Sequence, residues 1–255
     1  MTVDILTLFP GMFPGVLNES MLLRAQERGL VRFEVRDIRD WALDRHRVTD
    51  DTPYGGGGGM VMKPEPIVGA IEAVREVRGA EAGPIIYLSP QGKPFRHAEA
   101  ERLAALPHFT LLCGHYEGID ERVHEGGWID EELSVGDWVL TGGELAAMIV
   151  VDAVVRLVPG VLGNEASAAN DSFATGLLDC PHYTRPDDFR GLQVPEVLRS
   201  GHHAQIEQWR RREALRRTHQ RRPELLDTAD LSEEDHRLLR EIQAESSDPE
   251  PAEDV

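Results

Sequence analysis

The 255-residue chain has only two cysteines, Cys113 and Cys180. Two cysteines cannot make a disulfide framework, which fits a reducing compartment and leads us to expect a cytoplasmic protein. No apolar run approaches the ~18 residues that a membrane-spanning helix needs, which argues against a transmembrane segment. The opening Met1-Thr2-Val3-Asp4-Ile5 has no basic stretch followed by an apolar one, so no signal peptide is expected. There is no fixed-period repeat and no cluster with metal-ligand spacing. The ten histidines are scattered, and His202-His203 reads as helix surface rather than as a ligand pair. The five-glycine run Gly55 to Gly59 lacks the following Gly-Lys-Ser/Thr of a P-loop, and Met60 stands where a dinucleotide fingerprint needs its last glycine. A nucleotide-dependent oxidoreductase therefore has no intact motif here.

What is present is a strongly acidic chain, with a formal net charge of −18 that is unevenly spread. From Pro223 to Val255 twelve acidic residues face only Arg237 and Arg240, a net of −10 that leaves −8 for the first 222 residues. Just before this tail, Trp209 to Arg222 carries seven arginines. Such a stripe on an acidic protein is either a phosphate footprint, because local charge governs contact, or a solvated helix face.

Along the chain, Val3 to Phe9 reads as a buried strand. Phe13 to Arg28 has helical spacing up to Gly29, and Val31 to Ile38 alternates as a strand. Asp40 to Met60 is a polar loop, either a plain linker or a segment able to close over a substrate. Helices are expected over Pro66 to Val77, near His97 to Leu106, and from His115 to Arg122, whose first-turn acids suit the helix dipole. Pro84 to Leu88 and Phe109 to Cys113 are expected strands. Glu144 to Val158 is apolar on nearly every face except Asp152 and Arg156, so it belongs in a core or a subunit interface. Asp152 and Arg156 stand four apart, which gives Arg156 a plain role as an ion-pair partner. Asp171 reads from the pattern alone as the cap of a following helix. Further on, helices are expected over Gly201 to Arg217 and after Ser232, which has Asp235 three residues on.

Glycine breaks single out one stretch, Leu133 to Glu144. It breaks at Gly136, continues through Trp138-Val139-Leu140, and breaks again at Gly142-Gly143. Two other expected strands end in tight turns, at Ser89-Pro90 and at Gly114. Ligands of open α/β sheets sit outside the carboxyl ends of strands, so three such turns favour a binding site over ordinary connections.

The residues in and around these turns carry a resemblance. They are Tyr87-Leu88-Ser89-Pro90-Gln91-Gly92, Cys113-Gly114-His115-Tyr116-Glu117-Gly118-Ile119-Asp120-Glu121-Arg122, Ser134-Val135-Gly136-Asp137-Trp138-Val139-Leu140, Gly142-Gly143-Glu144-Leu145, Pro159-Gly160-Val161-Leu162-Gly163 and Leu177-Leu178-Asp179-Cys180-Pro181-His182-Tyr183-Thr184-Arg185-Pro186. From Ile5 to about Leu226 the chain resembles the bacterial tRNA (guanine-N1-)-methyltransferase family of the SPOUT superfamily. It departs from the family pattern at His115, where many members have arginine, at Trp138 for tyrosine, and at Ala146 for proline.

The resemblance implies an α/β fold with a trefoil-knotted parallel-sheet domain over residues 1–160 and a linker over 161–172. It also implies a small, mainly helical tRNA-binding domain over 173–245; the tail over 246–255 lies outside the resemblance and is expected to be disordered from its acid- and proline-rich composition. It implies an obligate homodimer. S-adenosylmethionine would lie against Tyr87, Leu88, Ser89, Pro90 and Gln91, against Gly114, Glu117 and Gly118, and against Val135 to Leu140 (Asp137 included) with Gly142 and Gly143. Guanine N1 is a poor nucleophile until its proton leaves. The family pattern gives the general base to Asp171, contributed by the other subunit, and stabilisation of the charge developing on O6 to Arg156. The target would be the guanosine at tRNA position 37, splayed out of its stack, with Tyr116, Gly58 and Gly59 as walls. Arg210 and Arg217 would hold phosphates. Family members are helped by magnesium, although the sequence shows no ligand cluster for it. Two other readings compete: another SPOUT methyltransferase with a different RNA target, and an RNA-binding module without catalysis.

Overall fold

The computed structural model describes residues 1–163 and 171–247. The chain divides into two compact units, Met1–Gly163 and Asn164–Val255. Part of the expected linker, 164–170, and most of the expected acidic tail, 248–255, lie outside the described residues.

The first unit is built on β1 (Thr2–Thr7), β2 (Arg32–Asp37), β5 (Ile85–Pro94), β6 (His108–Cys113) and β7 (Glu131–Ser134). They form one sheet in the order β2-β1-β6-β5-β7, and every pairing is parallel. The sequence dictates this placement. β6 is buried at all six residues and β1 at five of six, as strands covered on both faces must be. Alternation then sorts side chains between two cores. Ile5, Ile86 and Leu111 pack with α2 (Ser20–Glu27), α4 (His97–Ala104) and α6 (Glu144–Val155). Leu6, Ile85 and Leu112 pack with Ile67, Ile71 and Val74 of α3 (Pro64–Arg78) on the other face. Proline in the first turn of α3 and Gly79 at φ 54° after its end set its limits. A short ladder, β3 (Asp50–Asp51) against β4 (Val61–Met62), closes the glycine-rich loop.

Three expectations need correction. The helix expected over Phe13 to Arg28 is two, α1 (Pro14–Leu17) and α2, because Ser20 takes φ 51° and interrupts the ladder. The helix expected from His115 forms only as α5 (Arg122–Glu125). Tyr116 at φ 60° and Gly118 at φ 127° turn the backbone the other way, and the stretch pairs with 60–62 instead. Its bonds run from Glu117 N to Met60 O, from Met62 N to Gly118 O, and from Asp120 N to Met62 O, at 2.9–3.0 Å. Finally, β5 does not stop at Leu88. It shifts register between Leu88 and Lys93 and resumes pairing with β7, which arches Ser89–Gly92 outward. α6 is buried over most of its surface, but Leu145 and Ile149 are each about half exposed.

Below the sheet's carboxyl ends, the Asp4 carboxylate is fully buried. It accepts hydrogen bonds from Arg36 Nε at 2.7 Å, Arg78 Nε at 2.7 Å and His108 Nε2 at 2.9 Å. Gly83 N donates to His108 Nδ1, which leaves Nε2 as the ring's donor.

The second unit holds helices Glu196–Arg199, His203–Arg221 and Glu233–Ser247 and a two-stranded ladder, Asp188–Phe189 against Leu192–Gln193. Its core is Leu177, Leu215, Leu238, Leu239 and Ile242. Ser232 and Asp235 form the expected reciprocal cap: Asp235 N donates to Ser232 Oγ, and Ser232 N to Asp235 Oδ2.

Candidate functional site: a cleft at the carboxyl ends of three strands

The ends of β5, β6 and β7 converge on one cleft of about 340 Å³. That volume is in the range of small-molecule sites. The arch after β5 brings Tyr87, Leu88, Ser89, Pro90 and Gln91 to its wall. The turn after β6 brings Gly114, Tyr116, Glu117 and Gly118. The run after β7 brings Val135, Gly136, Trp138, Val139, Leu140, Gly142 and Gly143. Of the residues assigned to the cofactor from sequence, only Asp137 is not among those lining the cleft.

Close packing explains the glycines. A Cβ on Gly114 would lie 2.7 Å from the Tyr87 hydroxyl, and one on Gly143 would lie 2.7 Å from Cys113 Cα. Gly136 combines φ 150° with contact against the Trp138 ring. Gly59, at φ 83°, packs directly on the Glu117 side chain, which brings the end of the glycine-rich loop to this wall; Gly58 has open space beside it.

Burial first, then the nearby Glu132 carboxylate and Cys113, push the Tyr87 phenol up to about 12, so it is a neutral donor at neutral pH. Burial likewise raises the Tyr116 phenol, and Asp50 beside it adds to the effect by accepting its hydrogen bond.

The sequence reading missed other lining residues, among them His115, Glu121, His124 and Glu132. The last two pair with each other at 3.1 Å, and His124 meets the Tyr87 ring edge-on. Only strand alternation, which sets Glu132 opposite Leu133 in face, could have pointed to one of them. Three carboxylates, Glu117, Glu121 and Glu132, line the cleft, and among the described residues no lysine or arginine does.

The remaining sequence-derived residues sit elsewhere. Arg156 ends α6, half-buried, with its N–H on Asp152 O at 3.4 Å, and does not line the cleft. Asp171 is half-buried in the second unit. No helix follows it for it to cap among the described residues: its carbonyl accepts from Ala174 N in a turn that holds Phe173 at φ 77°. The arginine stripe is partly committed to its own unit. Arg211 forms two hydrogen bonds to Asp235, and Glu245 bridges Arg212 and Arg216. Arg210 is exposed and pairs with Glu207; Arg217 is half-buried. One grouping was invisible as spacing: ligand-type atoms of Asp179, Cys180 and His182 lie within 4.8 Å of one another. Asp179 and His182 already satisfy each other at 2.7 Å, and burial pushes the Cys180 thiol up, toward its neutral form. Among the described residues no helix is long and apolar enough to cross a membrane.

Comparison with known proteins bears on this arrangement. The family model for tRNA (Guanine-1)-methyltransferase TrmD matches residues 1–228. A tRNA (guanine-N(1)-)-methyltransferase of Pelotomaculum thermopropionicum is 56% identical over 244 residues, which is 96% of this chain and 97% of that protein. Another so named, from Brevibacillus brevis, is 55% identical over 245 residues, 96% of this chain and 99% of that one. A third, from Geobacter sp. strain M21, is 55% identical over 243 residues, 95% of this chain and 96% of its own. With most of its length matched and this degree of identity, the chain belongs to the tRNA (Guanine-1)-methyltransferase family.

Proposed function

We propose that this protein transfers a methyl group from S-adenosylmethionine to N1 of the guanosine at position 37 of tRNA. The activity in outline rests on the family and on relatives that carry the name. The observation that carries the cofactor assignment is the charge of the cleft. Three carboxylates line it against two histidines and, among the described residues, no lysine or arginine, which suits a ligand bearing a sulfonium and an ammonium and disfavours a nucleotide polyphosphate. The neutral Tyr87 hydroxyl supplies a fixed donor. The sulfonium is already an activated electrophile, so the cleft's task is alignment.

In the reaction N1 of guanine attacks the methyl carbon, the methyl–sulfur bond breaks, and the sulfonium leaves as a neutral thioether. The N1 proton passes to the Asp171 carboxylate as general base. The Arg156 guanidinium donates toward O6, where charge gathers as the proton leaves. Tyr116, Gly58 and Gly59 would wall the splayed base, and Arg210 and Arg217 would meet tRNA phosphates. The reading includes a trefoil knot, a catalytic first unit, a tRNA-binding second unit, a cytoplasmic setting, and a homodimer in which Asp171 comes from the other subunit. In support of the dimer, the half-exposed Leu145 and Ile149 lie on α6 at spacings that continue to Arg156 along one face.

The test is methyl transfer to a transcript carrying guanosine or adenosine at position 37, with calorimetry for S-adenosylmethionine binding. Wild type should methylate only the guanosine transcript. Asp171→Ala should lose about 10²–10⁴-fold in kcat while still binding the cofactor. Transfer indifferent to position 37 would shift the target, and binding of tRNA without turnover would leave an RNA-binding module.

A further inference from the structure

Behind the cleft wall, and not lining it, lies a buried polar group that the proposed chemistry does not use. Glu144 is the first residue of α6, and its side chain is 2% exposed. Its carboxylate does not face solvent as first-turn acids often do. Oε1 accepts a hydrogen bond from the fully buried Thr7 Oγ1 at 2.7 Å, at the carboxyl end of β1. Thr7 Oγ1 in turn accepts from Phe9 N at 2.9 Å. Oε2 faces His115 Nδ1 at 3.9 Å, and that nitrogen is buried with no hydrogen-bond partner. One carboxylate therefore touches the end of β1, the turn after β6 and the start of α6.

The two glycines before it belong to the same device. Gly142 bridges to His115 in antiparallel fashion, and Gly143 N donates to Gly114 O at 2.8 Å. A Cβ on Gly142 would collide with Glu144 Oε2 and stand 2.5 Å from His115 Nδ1. The carboxylate and the imidazole thus pass directly beneath the loop that forms one wall of the cleft. His115 itself lines the cleft, with its ring centroid 4.8 Å from those of both Phe9 and Tyr116. A shift of Glu144 would reach the cleft by two routes: through Gly142 and Gly143 into the Leu140–Gly143 wall, and through His115 into Tyr116.

We propose that Glu144 is a positioning residue: its buried carboxylate, held by Thr7, clamps the Leu140–Gly143 wall and His115 in the geometry that receives S-adenosylmethionine. The proposal rests on the reading of the cleft as the S-adenosylmethionine site. The sequence Gly142-Gly143-Glu144 is then one unit, two residues without side chains lying over one whose side chain locks them from below. Burial of a carboxylate is costly unless it is hydrogen-bonded, so loss of the Thr7 hydroxyl should loosen the clamp rather than leave it in place.

The experiment measures KM for S-adenosylmethionine, kcat, calorimetric cofactor affinity and thermal midpoint in wild type, Glu144→Gln, Thr7→Val and Thr7→Ser. Thr7→Val keeps the shape and removes the donor; Thr7→Ser restores it. Glu144→Gln and Thr7→Val should each raise KM and the dissociation constant about tenfold, with kcat at saturation changed by less than about twofold. Thr7→Ser should stay near wild type. If either altered variant lowers the thermal midpoint while KM and kcat match wild type, Glu144 is merely structural and the proposal is wrong. A fall in kcat at unchanged KM overturns it as well, since the clamp would then act on the chemistry and not on cofactor reception. Failure of wild type to bind S-adenosylmethionine would be a different result, and would remove the parent reading of the cleft.

Discussion

β1 carries two buried polar side chains three residues apart, and they are served in opposite ways. At Asp4 three donors converge on one carboxylate at 2.7–2.9 Å. At Thr7 the neighbouring carboxylate, Glu144, has one short bond and one imidazole nitrogen left 3.9 Å away. The first cluster lies below the strand ends and lines no cleft. The second sits directly under the cleft wall. Each cluster leaves one buried nitrogen without a partner, Arg78 Nη2 in the first and His115 Nδ1 in the second, but the Asp4 carboxylate is held by three donors and the Glu144 carboxylate by one, and the more sparsely held of the two is where a ligand would arrive.

Breaking the Asp4 cluster should have the largest effect. Asp4→Asn leaves Arg36 and Arg78 facing a neutral side chain, and we expect a loss of about 3 kcal/mol in urea-unfolding stability with cofactor affinity of the folded fraction unchanged. The pH dependence sharpens this. Burial alone would raise the Asp4 carboxyl, but hydrogen bonds from His108, Arg78 and Arg36 outweigh it and hold the group far below its usual 3.8. Below about pH 4 the unfolded chain takes up a proton that the folded chain still refuses. The stabilisation is therefore complete above that pH and declines as pH falls toward the folded value. The stability gap between wild type and Asp4→Asn should narrow from pH 7 to pH 3; a constant gap would contradict the ionic account.

Gly143→Ala probes the other region. Its Cβ would meet Cys113 Cα, a backbone atom that cannot swing aside. A cost of about 1–3 kcal/mol is expected, together with weakened cofactor binding by calorimetry, which Asp4→Asn should leave intact. The smallest effect belongs to Arg212→Ala in the second unit. Its pair with the exposed Glu245 should contribute least to urea-unfolding stability, and that contribution should fade in high salt.

The sheet was legible because strands covered on both faces are mostly apolar, as Val3, Ile5 and Leu6 of β1 and Phe109, Leu111 and Leu112 of β6 are. The turns of the cleft were legible because close backbone approach demands glycine, and Gly114, Gly136 and Gly143 each meet a neighbouring chain segment or ring. The stretch 115–121 was misread for the same kind of reason in reverse. Its acids suit a helix locally, but its backbone is bonded to Met60 and Met62, more than 50 positions earlier in the numbering. Glu132 and His124 escaped notice because a strand and a short helix present them without any local mark of a site. The arginine stripe looked uniform in sequence, yet Asp235 and Glu245, from the following helix, claim three of its members.

The strand order also sets a timetable. β1 leaves the ribosome before the other strands of its sheet, but its central partner, β6, contributes His108 only 104 residues after Asp4. At a synthesis rate of ~5–20 residues per second, roughly 5–20 s separate the two. During that interval β1 can pair only with β2, so one of its edges and the apolar side chains of both its faces wait in solution for residues not yet made. β1 thus precedes the other strands in the chain yet gains its second neighbour only when β6 is made, and aggregation during slow translation should begin from that waiting edge.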